Sequence, residues 1–223
     1  MTTLVIGGTG FIGSALVREL ALLGEPVRAT CRRGEPRDPD LAMLPVRWVA
    51  ADLLDLPSLR YALEGCDSIY YCAGITSTRP SDAKLAFEIN HQGLLNFLEV
   101  ARAAQVERVV YVGSVFGLGV GAKGQPPANE NVIYNLDHLR APVFRSMRAA
   151  ELAMQDAIEK GLYAVAVYPG FCVGPGDQRR SSSRHLIAYL RWRLPVTIPG
   201  GICQIDVRDA AHGLVLAMQH GRS

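Results

Sequence analysis

The sequence of 223 residues has no long apolar run, no basic tract and no export signal. No stretch approaches the roughly 20 apolar residues that a membrane helix needs. The first apolar residues follow neither a basic leader nor a cleavage site. The formal net charge is +2 and the arginines are scattered, which argues against nucleic acid as a partner. We therefore expect a cytoplasmic protein without a membrane or nucleic-acid partner.

Cysteine is scarce, and its spacing excludes the usual metal motifs. None of the five thiols forms a Cys-x-x-Cys pair or joins a histidine cluster, so we predict no metal site. The thiols are Cys31, Cys66, Cys72, Cys172 and Cys203. In a chain without an export signal this pattern favours reduced, buried thiols.

The sequence does contain an alternation of short β-branched runs with helical periods. This alternation predicts an α/β fold, a doubly wound parallel sheet of the Rossmann type with helices on both faces. Strands are predicted at 3–6, 27–31, 46–50, 68–72, 108–112, 163–168 and 204–207, and helices at 11–23, 56–63, 84–104, 144–160, 183–193 and 210–219. We expect one Rossmann domain over 1–223, in which about 171–203 form a small C-terminal appendage on the substrate side.

A glycine-rich turn, residues 7–13, connects the first predicted strand with the first helix and reads GGTGFIG. Gly7 permits a tight turn, Gly10 lets a diphosphate approach the backbone, and Gly13 lets the helix pack closely on the strand. The helix N-terminus offers N–H groups and a positive dipole end to phosphates. The predicted cofactor-binding residues of this turn are Gly7, Thr9, Gly10, Phe11 and Ile12.

The adenosine side of the cofactor is predicted to lie at the ends of the second and third strands. An acid after the second strand would bind the ribose of NAD, whereas arginine accommodates the 2′-phosphate of NADP. The sequence has Arg32 and Arg33 there, which favours NADP(H), with NAD(H) as the alternative. A solvated surface pair is the competing explanation. Asp52 is placed to accept from the adenine amino group, or else to cap the helix near Leu56.

Six further segments of the sequence are short motifs that can be compared with known families. They are residues 51–55 (ADLLD), 90–93 (NHQG), 112–114 (VGS), 150–151 (AE), 168–177 (YPGFCVGPGD) and 206–213 (DVRDAAHG). Together with the glycine turn they resemble the extended short-chain dehydrogenase/reductase family, also called the NAD-dependent epimerase/dehydratase family, and most closely its dihydroflavonol-4-reductase-like members. The resemblance runs over the whole chain. It implies an NAD(P)-dependent enzyme that acts on a carbonyl or sugar-like small molecule.

The resemblance also implies roles for individual residues. Ser114 corresponds to the catalytic Ser/Thr, which hydrogen-bonds the substrate carbonyl or hydroxyl. Further cofactor contacts are implied for Leu53, Ala73, Gly74, Asn90, Pro169, Gly170 and Cys172. The helices 84–104 and 144–160 correspond to the pair that usually forms a homodimer interface.

The catalytic Tyr-x-x-x-Lys pair of this family is missing. Anchoring the family pattern on residues 150–151 places Val143 at the Tyr position and Met147 at the Lys position. A register shifted by one residue places Phe144 and Arg148 there instead. Valine has no proton to donate and methionine carries no charge, and loss of a positioned general acid costs about 10²–10⁴-fold in rate.

Two functions from different classes therefore remain open. The chain is either an enzyme of the reductase, epimerase or dehydratase type that retains Ser114, or a non-catalytic dinucleotide-binding sensor or structural module. The paired loss fits a natural loss of chemistry or a deliberate inactivation. Family members usually continue well beyond 206–213, so we expect either a minimal substrate lobe or a truncated form.

Overall fold

The structure is a computed structural model that describes residues 2–121, 128–129, 131–178, 182–191 and 201–223. Within these ranges the strands are β1 (Thr3–Ile6), β2 (Val27–Cys31), β3 (Arg47–Ala50), β4 (Ser68–Tyr71), β5 (Arg108–Val112), β6 (Ala164–Val167), β7 (Phe171–Val173) and β8 (Gln204–Asp206). The α-helices are α1 (Phe11–Leu22), α2 (Pro39–Ala42), α3 (Leu56–Leu63), α4 (Ala83–Phe87), α5 (Gly93–Ala103), α6 (Pro142–Glu159), α7 (Ser183–Leu190) and α8 (Val207–His220). Among the described residues no helix is long and apolar enough to cross a bilayer.

The main sheet has six parallel strands in the order β3-β2-β1-β4-β5-β6. The order reverses between β1 and β4, and a crevice forms at the carboxyl ends of the strands where such a reversal occurs. A second, two-stranded parallel sheet pairs β7 with β8. The predicted doubly wound α/β fold is confirmed.

Each face of the main sheet is covered by its own group of helices. On one face, α3, α5 and α6 bury an apolar cluster that includes Phe97 and Tyr71, whose ring centroids lie 4.8 Å apart. On the other face, α1 and α8 bury a cluster around Leu16 and Leu214. Burial on both faces explains why the strands read as nearly continuous apolar runs.

The predicted helix 84–104 is interrupted in the structure. A π-helical turn, Glu88–Gln92, separates α4 from α5. The turn brings Asn90 into a buried position facing the segment after β4. Because a π-helical turn keeps the chain helical and changes only the local spacing of its hydrogen bonds, the sequence predicted one uninterrupted helix.

Other differences from the predicted elements are short. The helix predicted at 210–219 begins earlier, at Val207, because the Asp206 side chain accepts a hydrogen bond from the Arg208 N–H at 2.9 Å and caps it. The elements α2, β7 and the 3-10 turns Pro80–Asp82 and Val115–Gly117 were not predicted. Residues 192 and 193 of the predicted helix 183–193 lie outside the described residues.

Two further expectations concern the C-terminal part and the thiols. The substrate-side subregion at 171–203 includes residues 179–181 and 192–200, which lie outside the described residues, and it stays a prediction. All five cysteines are free thiols. The expectation that they are buried is wrong for Cys203, which is exposed because it precedes the edge strand β8, and only partly right for the half-buried Cys72.

Candidate functional site

The glycine turn begins where β1 ends. Gly7 adopts a φ of +80°, and a Cβ atom at this position would lie 3.0 Å from the backbone of Ala73. The Gly7 N–H donates to Thr30 Oγ1 at 3.0 Å, and the Gly10 N–H donates to the Gly7 carbonyl at 2.9 Å. A side chain at position 7 would therefore be strained by its backbone and would push β4 away.

The start of α1 is open to an anion. A Cβ atom at Gly13 would lie 2.2 Å from the Gly7 carbonyl oxygen, so only glycine lets the helix approach β1 this closely. Gly10 is the N-cap residue and provides no side-chain hydrogen bond, and the first turn contains no acidic residue. Thr9 and Gly10 are exposed. The free N–H groups and the positive end of the helix dipole fit the diphosphate of a dinucleotide.

The arginine pair lies on a tight turn after β2. The Gly34 N–H donates to the Cys31 carbonyl at 3.0 Å, and Gly34 has a φ of +80°. Arg32 and Arg33 are both exposed at the tip. Neither guanidinium forms a hydrogen bond or ion pair with a residue that the structure describes, so both remain available to a phosphate.

Asp52 closes the turn that precedes α3. Its Oδ1 accepts from the Leu54 N–H at 2.9 Å, and its own N–H donates to Ser58 Oγ at 3.0 Å. The N-cap residue of α3 is Asp55, so Asp52 supports the helix start without being its cap. Within the described part of the chain, Oδ2 of Asp52 has no partner, which leaves the predicted adenine contact open. The next residue, Leu53, packs against Gly93.

Asn90 ties the segment after β4 to α6. Its Oδ1 accepts from the Ile75 N–H at 2.7 Å, and its Nδ2 donates to the Ile75 carbonyl at 2.8 Å and to Ser146 Oγ at 3.0 Å. Only 4% of Asn90 is exposed. The amide therefore anchors the backbone directly after Gly74 to α6, and the implied cofactor contact of Asn90 stays a prediction.

The positions at which the family resemblance predicts the catalytic pair lie inside the protein. Val143 is completely buried and Met147 is 8% exposed. The Cε atom of Met147 lies 3.7 Å from the place that a Cβ atom at Gly74 would occupy. The described structure thus brings two apolar side chains, one helical turn apart, to the side of α6 that faces the segment after β4.

The residues of the alternative register lie on a different side of α6. Phe144 packs on Phe116 of the 3-10 turn, with ring centroids 5.0 Å apart. The guanidinium of Arg148 lies 4.6 Å from the ring centroid of Tyr134. These contacts direct both side chains toward the segments after β5, and Met147 is the side chain adjacent to Gly74.

Ser114 lies two residues after the end of β5 and is half-buried. Its Oγ accepts from the Phe116 N–H at 3.3 Å and caps the 3-10 turn. That turn packs on α6, because a Cβ atom at Gly117 would lie 3.1 Å from the Met147 carbonyl oxygen. The hydroxyl hydrogen of Ser114 is not used in this contact, so the side chain can still donate to a bound molecule.

The sequence did not reveal a hydrogen bond between a buried glutamate of α6 and a tyrosine that follows β6. Glu151 is 2% exposed, and its Oε1 accepts from the Tyr168 hydroxyl and from Gln155 Nε2 at 3.2 Å. Its Oε2 is buried without a partner in the described structure. Burial raises the pKa of Glu151, while the hydrogen bonds from Tyr168 and Gln155 and the charge of Arg148 lower it less. A signal was present, since Glu151 lies on the apolar side of α6, four residues after Met147.

The segment after β6 joins the main sheet to the second sheet. The Phe171 N–H donates to the Cys203 carbonyl at 2.8 Å, and a Cβ atom at Gly170 would lie 2.8 Å from that oxygen. Cys172 is buried, and desolvation raises its pKa to about 11, so it is a neutral thiol at physiological pH. The implied cofactor contacts of Pro169, Gly170 and Cys172 stay predictions.

A cavity opens between the end of β7 and α7. Its volume is about 510 Å³. The lining residues are Val173, Gly174, Gly176, Asp177, Gln178, Ser183, Leu186 and Ile187. A Cβ atom at Gly176 would lie 3.8 Å from Ser14 Oγ, so the cavity is close to the start of α1. In the part of the chain that the structure describes, no group of three His, Cys, Asp or Glu residues could hold a metal ion.

Comparison with known proteins places these features in a family context. The sequence profile of the NAD dependent epimerase/dehydratase family matches residues 3–223. The protein named "Putative dihydroflavonol 4-reductase" of Synechocystis sp. is 35% identical over 220 residues, which cover 98% of this chain and 63% of that protein. The chain therefore spans less than two thirds of the length of this curated relative.

Solved structures resemble the chain over almost its whole length. The crystal structure of gox2253 has a TM-score of 0.90 and 29% identity, covering 99% of this chain and 67% of that chain. The UDP-glucose 4-epimerase of Thermus thermophilus, solved in complex with NAD, has a TM-score of 0.80 and 26% identity, covering 98% of this chain and 74% of that chain.

The buried carboxyl group generates a prediction about stability. In the variant Glu151→Gln the acceptor for Tyr168 remains, but the titration is lost. Because burial raises the pKa of Glu151 above its ordinary value of 4.5, the folded protein binds this proton more tightly than the unfolded chain does. The stability of the wild type should therefore fall relative to Glu151→Gln as the pH rises from about 4.5 through the folded-state pKa, and then level off.

Urea unfolding at a series of pH values measures this difference in the free energy of unfolding. Glu159→Gln, an exposed position near the end of the same helix, is the matched control and should give a much smaller pH dependence. A stability difference between the wild type and Glu151→Gln that does not change with pH would contradict the raised pKa.

Proposed function

We propose, from the premise that this chain belongs to the NAD-dependent epimerase/dehydratase family, that it binds a nicotinamide dinucleotide and prefers NADP(H) to NAD(H). The observations that carry this proposal are the uncapped start of α1 and the two exposed arginines after β2, which have no partner among the residues that the structure describes. Free backbone N–H groups suit a diphosphate, and a guanidinium pair suits the additional phosphate of NADP. The NAD complex of the T. thermophilus epimerase supports a dinucleotide in general, without indicating which form this chain prefers.

The residues that would hold the cofactor come from the strand ends on both sides of the crevice. They are Gly7, Thr9, Gly10, Phe11, Ile12, Arg32, Arg33, Asp52, Leu53, Ala73, Gly74, Asn90, Pro169, Gly170 and Cys172. When bound, the nicotinamide ring supplies the capacity to give or accept a hydride. The contribution of the chain itself is to grip the diphosphate and to position the backbone around the ribose.

The same proposal assigns no proton transfer to the usual positions of α6. Val143 and Met147 are buried and apolar, and they offer neither a general acid nor a charge that could lower the pKa of one. Tyr168 is a poor substitute because its hydroxyl donates to Glu151 beneath α6. We therefore infer that the protein binds the dinucleotide without turnover, as a sensor or structural module.

A catalytic function is the second candidate, and Ser114 favours it. The serine lies after β5 at the carboxyl edge of the sheet, and its hydroxyl hydrogen is free for a substrate oxygen. An enzyme of the reductase or epimerase type acting on a carbonyl or sugar-like molecule would have to take its proton from water or from the substrate itself. The name of the Synechocystis relative supports this candidate.

We also propose that the chain forms a homodimer through the helices around 84–104 and 144–160. Large apolar side chains are exposed on this part of the surface, including Leu85 at 49%, Phe87 at 46%, Leu95 at 38% and Leu152 at 49%. Exposed apolar patches of this kind often mark association surfaces.

The cofactor preference predicts a difference between two nucleotides. Calorimetry on the wild type should give a lower Kd for NADPH than for NADH. The double variant Arg32→Ala/Arg33→Ala should raise the Kd for NADPH about 10–100-fold, because one or two charge-assisted contacts with the phosphate are lost, and should leave NADH nearly unchanged. Arg37→Ala, an exposed arginine of the same loop, is the control. Tighter binding of NADH by the wild type would overturn the role of the arginine pair.

If the missing Tyr and Lys are the reason for the lack of turnover, introducing them on α6 should create activity. The wild type, mixed with NADPH and a panel of aldehydes and ketones, should leave the nicotinamide absorbance unchanged. The variant Val143→Tyr/Met147→Lys should oxidise NADPH at least about 10²-fold faster than the wild type, since a general acid typically contributes this much. Thermal unfolding must accompany the assay, because Val143 is fully buried and a larger side chain strains the core.

The shifted register provides the matched control for this repair. Phe144→Tyr/Arg148→Lys introduces the same two side chains one residue further along α6, on the side that faces the 3-10 turn. It should remain inactive. Turnover by the wild type itself would contradict the non-catalytic proposal and favour the enzyme.

The proposed homodimer predicts that substitutions of Leu95 and Leu152 change the mass of the protein in solution. Light scattering coupled to gel filtration should give twice the chain mass for the wild type. Leu95→Lys/Leu152→Lys should give the monomer mass, because charge repulsion and desolvation oppose an apolar contact. Leu22→Lys, an 84% exposed position on α1, is the control and should stay dimeric. A monomeric wild type at high concentration would refute this interface.

A further inference from the structure

The hydrogen-bond ladder between β1 and β2 ends on a side chain. The Thr3 N–H donates to the Pro26 carbonyl at 3.2 Å, and the two strands run in parallel register from Thr3 with Val27 onward. A parallel ladder continued at this spacing would join the Gly7 N–H to the Thr30 carbonyl, four residues further along each strand. In the structure this N–H donates instead to the hydroxyl oxygen of Thr30, at 3.0 Å.

The hydroxyl of Thr30 thus takes the place of a backbone acceptor at the point where the glycine turn leaves β1. Thr30 is 5% exposed, so the hydroxyl is held in a dry environment where one hydrogen bond has a strong effect on geometry. A Cβ atom at Gly8 would lie 2.9 Å from the Ala29 side chain, which gives β2 a second contact with the turn. The last two buried positions of β2 before Cys31 thus brace the glycine turn.

The same strand leads directly to the arginine pair. Only Cys31 separates Thr30 from Arg32, and the Gly34 N–H holds the tip of that loop by its bond to the Cys31 carbonyl. Thr30 therefore connects the turn proposed for the diphosphate, through its hydrogen bond with Gly7, to the arginines proposed for the 2′-phosphate, which follow it in the chain. In NADP the covalent structure of the adenosine fixes the separation of these two anionic groups.

We propose that Thr30 is a positioning residue that sets the spacing between the glycine turn and the arginine pair, and thereby the preference for a 2′-phosphorylated dinucleotide. This inference rests on the proposed dinucleotide binding. NADPH needs both groups of contacts at once, whereas NADH needs only the first. A turn released from Thr30 should therefore cost NADPH more affinity than NADH.

The test is calorimetry of Thr30→Val and Thr30→Ser with each nucleotide. Valine keeps the branched shape but cannot accept from the Gly7 N–H, and serine keeps the hydroxyl. We expect Thr30→Val to lower the ratio of the NADH Kd to the NADPH Kd by about tenfold, and Thr30→Ser to keep the wild-type ratio. Thr3→Val, a buried threonine at the other end of β1, is the control and should keep the ratio too. Thermal unfolding reports any general loss of stability separately.

Each outcome decides between the possibilities. A Thr30→Val protein that is less stable but keeps the wild-type ratio of affinities overturns the inference, because a merely structural threonine would behave in this way. A wild type that binds both nucleotides equally well overturns it as well, while leaving dinucleotide binding intact. A wild type that binds neither nucleotide overturns the proposed function itself. If Thr30→Val does not fold, Thr30→Cys, whose thiol is a weak acceptor of similar size, takes its place with the same expectation.

Discussion

The close approach of α1 to β1 is the constraint on which the rest of the site depends. It exists because Gly13 has no side chain, since a Cβ atom there would lie 2.2 Å from the Gly7 carbonyl. The helix cannot move aside to relieve such a contact, because its other face is packed against α8 in an apolar cluster with Leu16 and Leu214 fully buried. The turn is therefore fixed from both sides before any ligand arrives, which lowers the cost of ordering on binding.

The residues proposed to bind the phosphate groups of the dinucleotide and those at the positions proposed for proton transfer lie in different halves of the sheet. The glycine turn and the arginine loop belong to β1, α1 and β2, whereas Ser114 and the apolar pair belong to β5 and α6. Asn90 connects the halves by bonding the segment after β4 and Ser146 of α6. A substitution on α6 can therefore abolish proton transfer while the packing of the diphosphate turn is unaffected. This separation is what makes a non-catalytic dinucleotide-binding protein physically reasonable within a family of enzymes.

The sequence predicted the fold well because its signals are local. Strand β5 and helix α3 follow from apolar periodicity and turn residues alone, and the positions of the glycine turn follow from spacing. The π-helical turn around Asn90 and the Glu151–Tyr168 pair could not be predicted in the same way. Both depend on partners that are distant in sequence, Ile75 and Ser146 in one case and the strand end after β6 in the other. The role of Asp52 could be predicted only as two alternatives, because the same carboxylate can stabilise a turn or contact a ligand.

The apolar pair on α6 also has an energetic consequence for the protein as a whole. A tyrosine hydroxyl and a lysine ammonium held beside a buried amide such as Asn90 must give up water, and that desolvation opposes folding unless a ligand compensates it. Val143 and Met147 avoid this cost and bury apolar surface instead, which stabilises the fold by about 1.5–3 kcal/mol for each fully buried side chain. Glu151, one turn further along the helix, still carries a desolvation penalty that its hydrogen bonds only partly offset. The helix α6 therefore has no desolvation penalty at Val143 and Met147 but keeps one at Glu151. Restoring catalytic side chains at the first would exchange stability for chemistry, as active sites generally do.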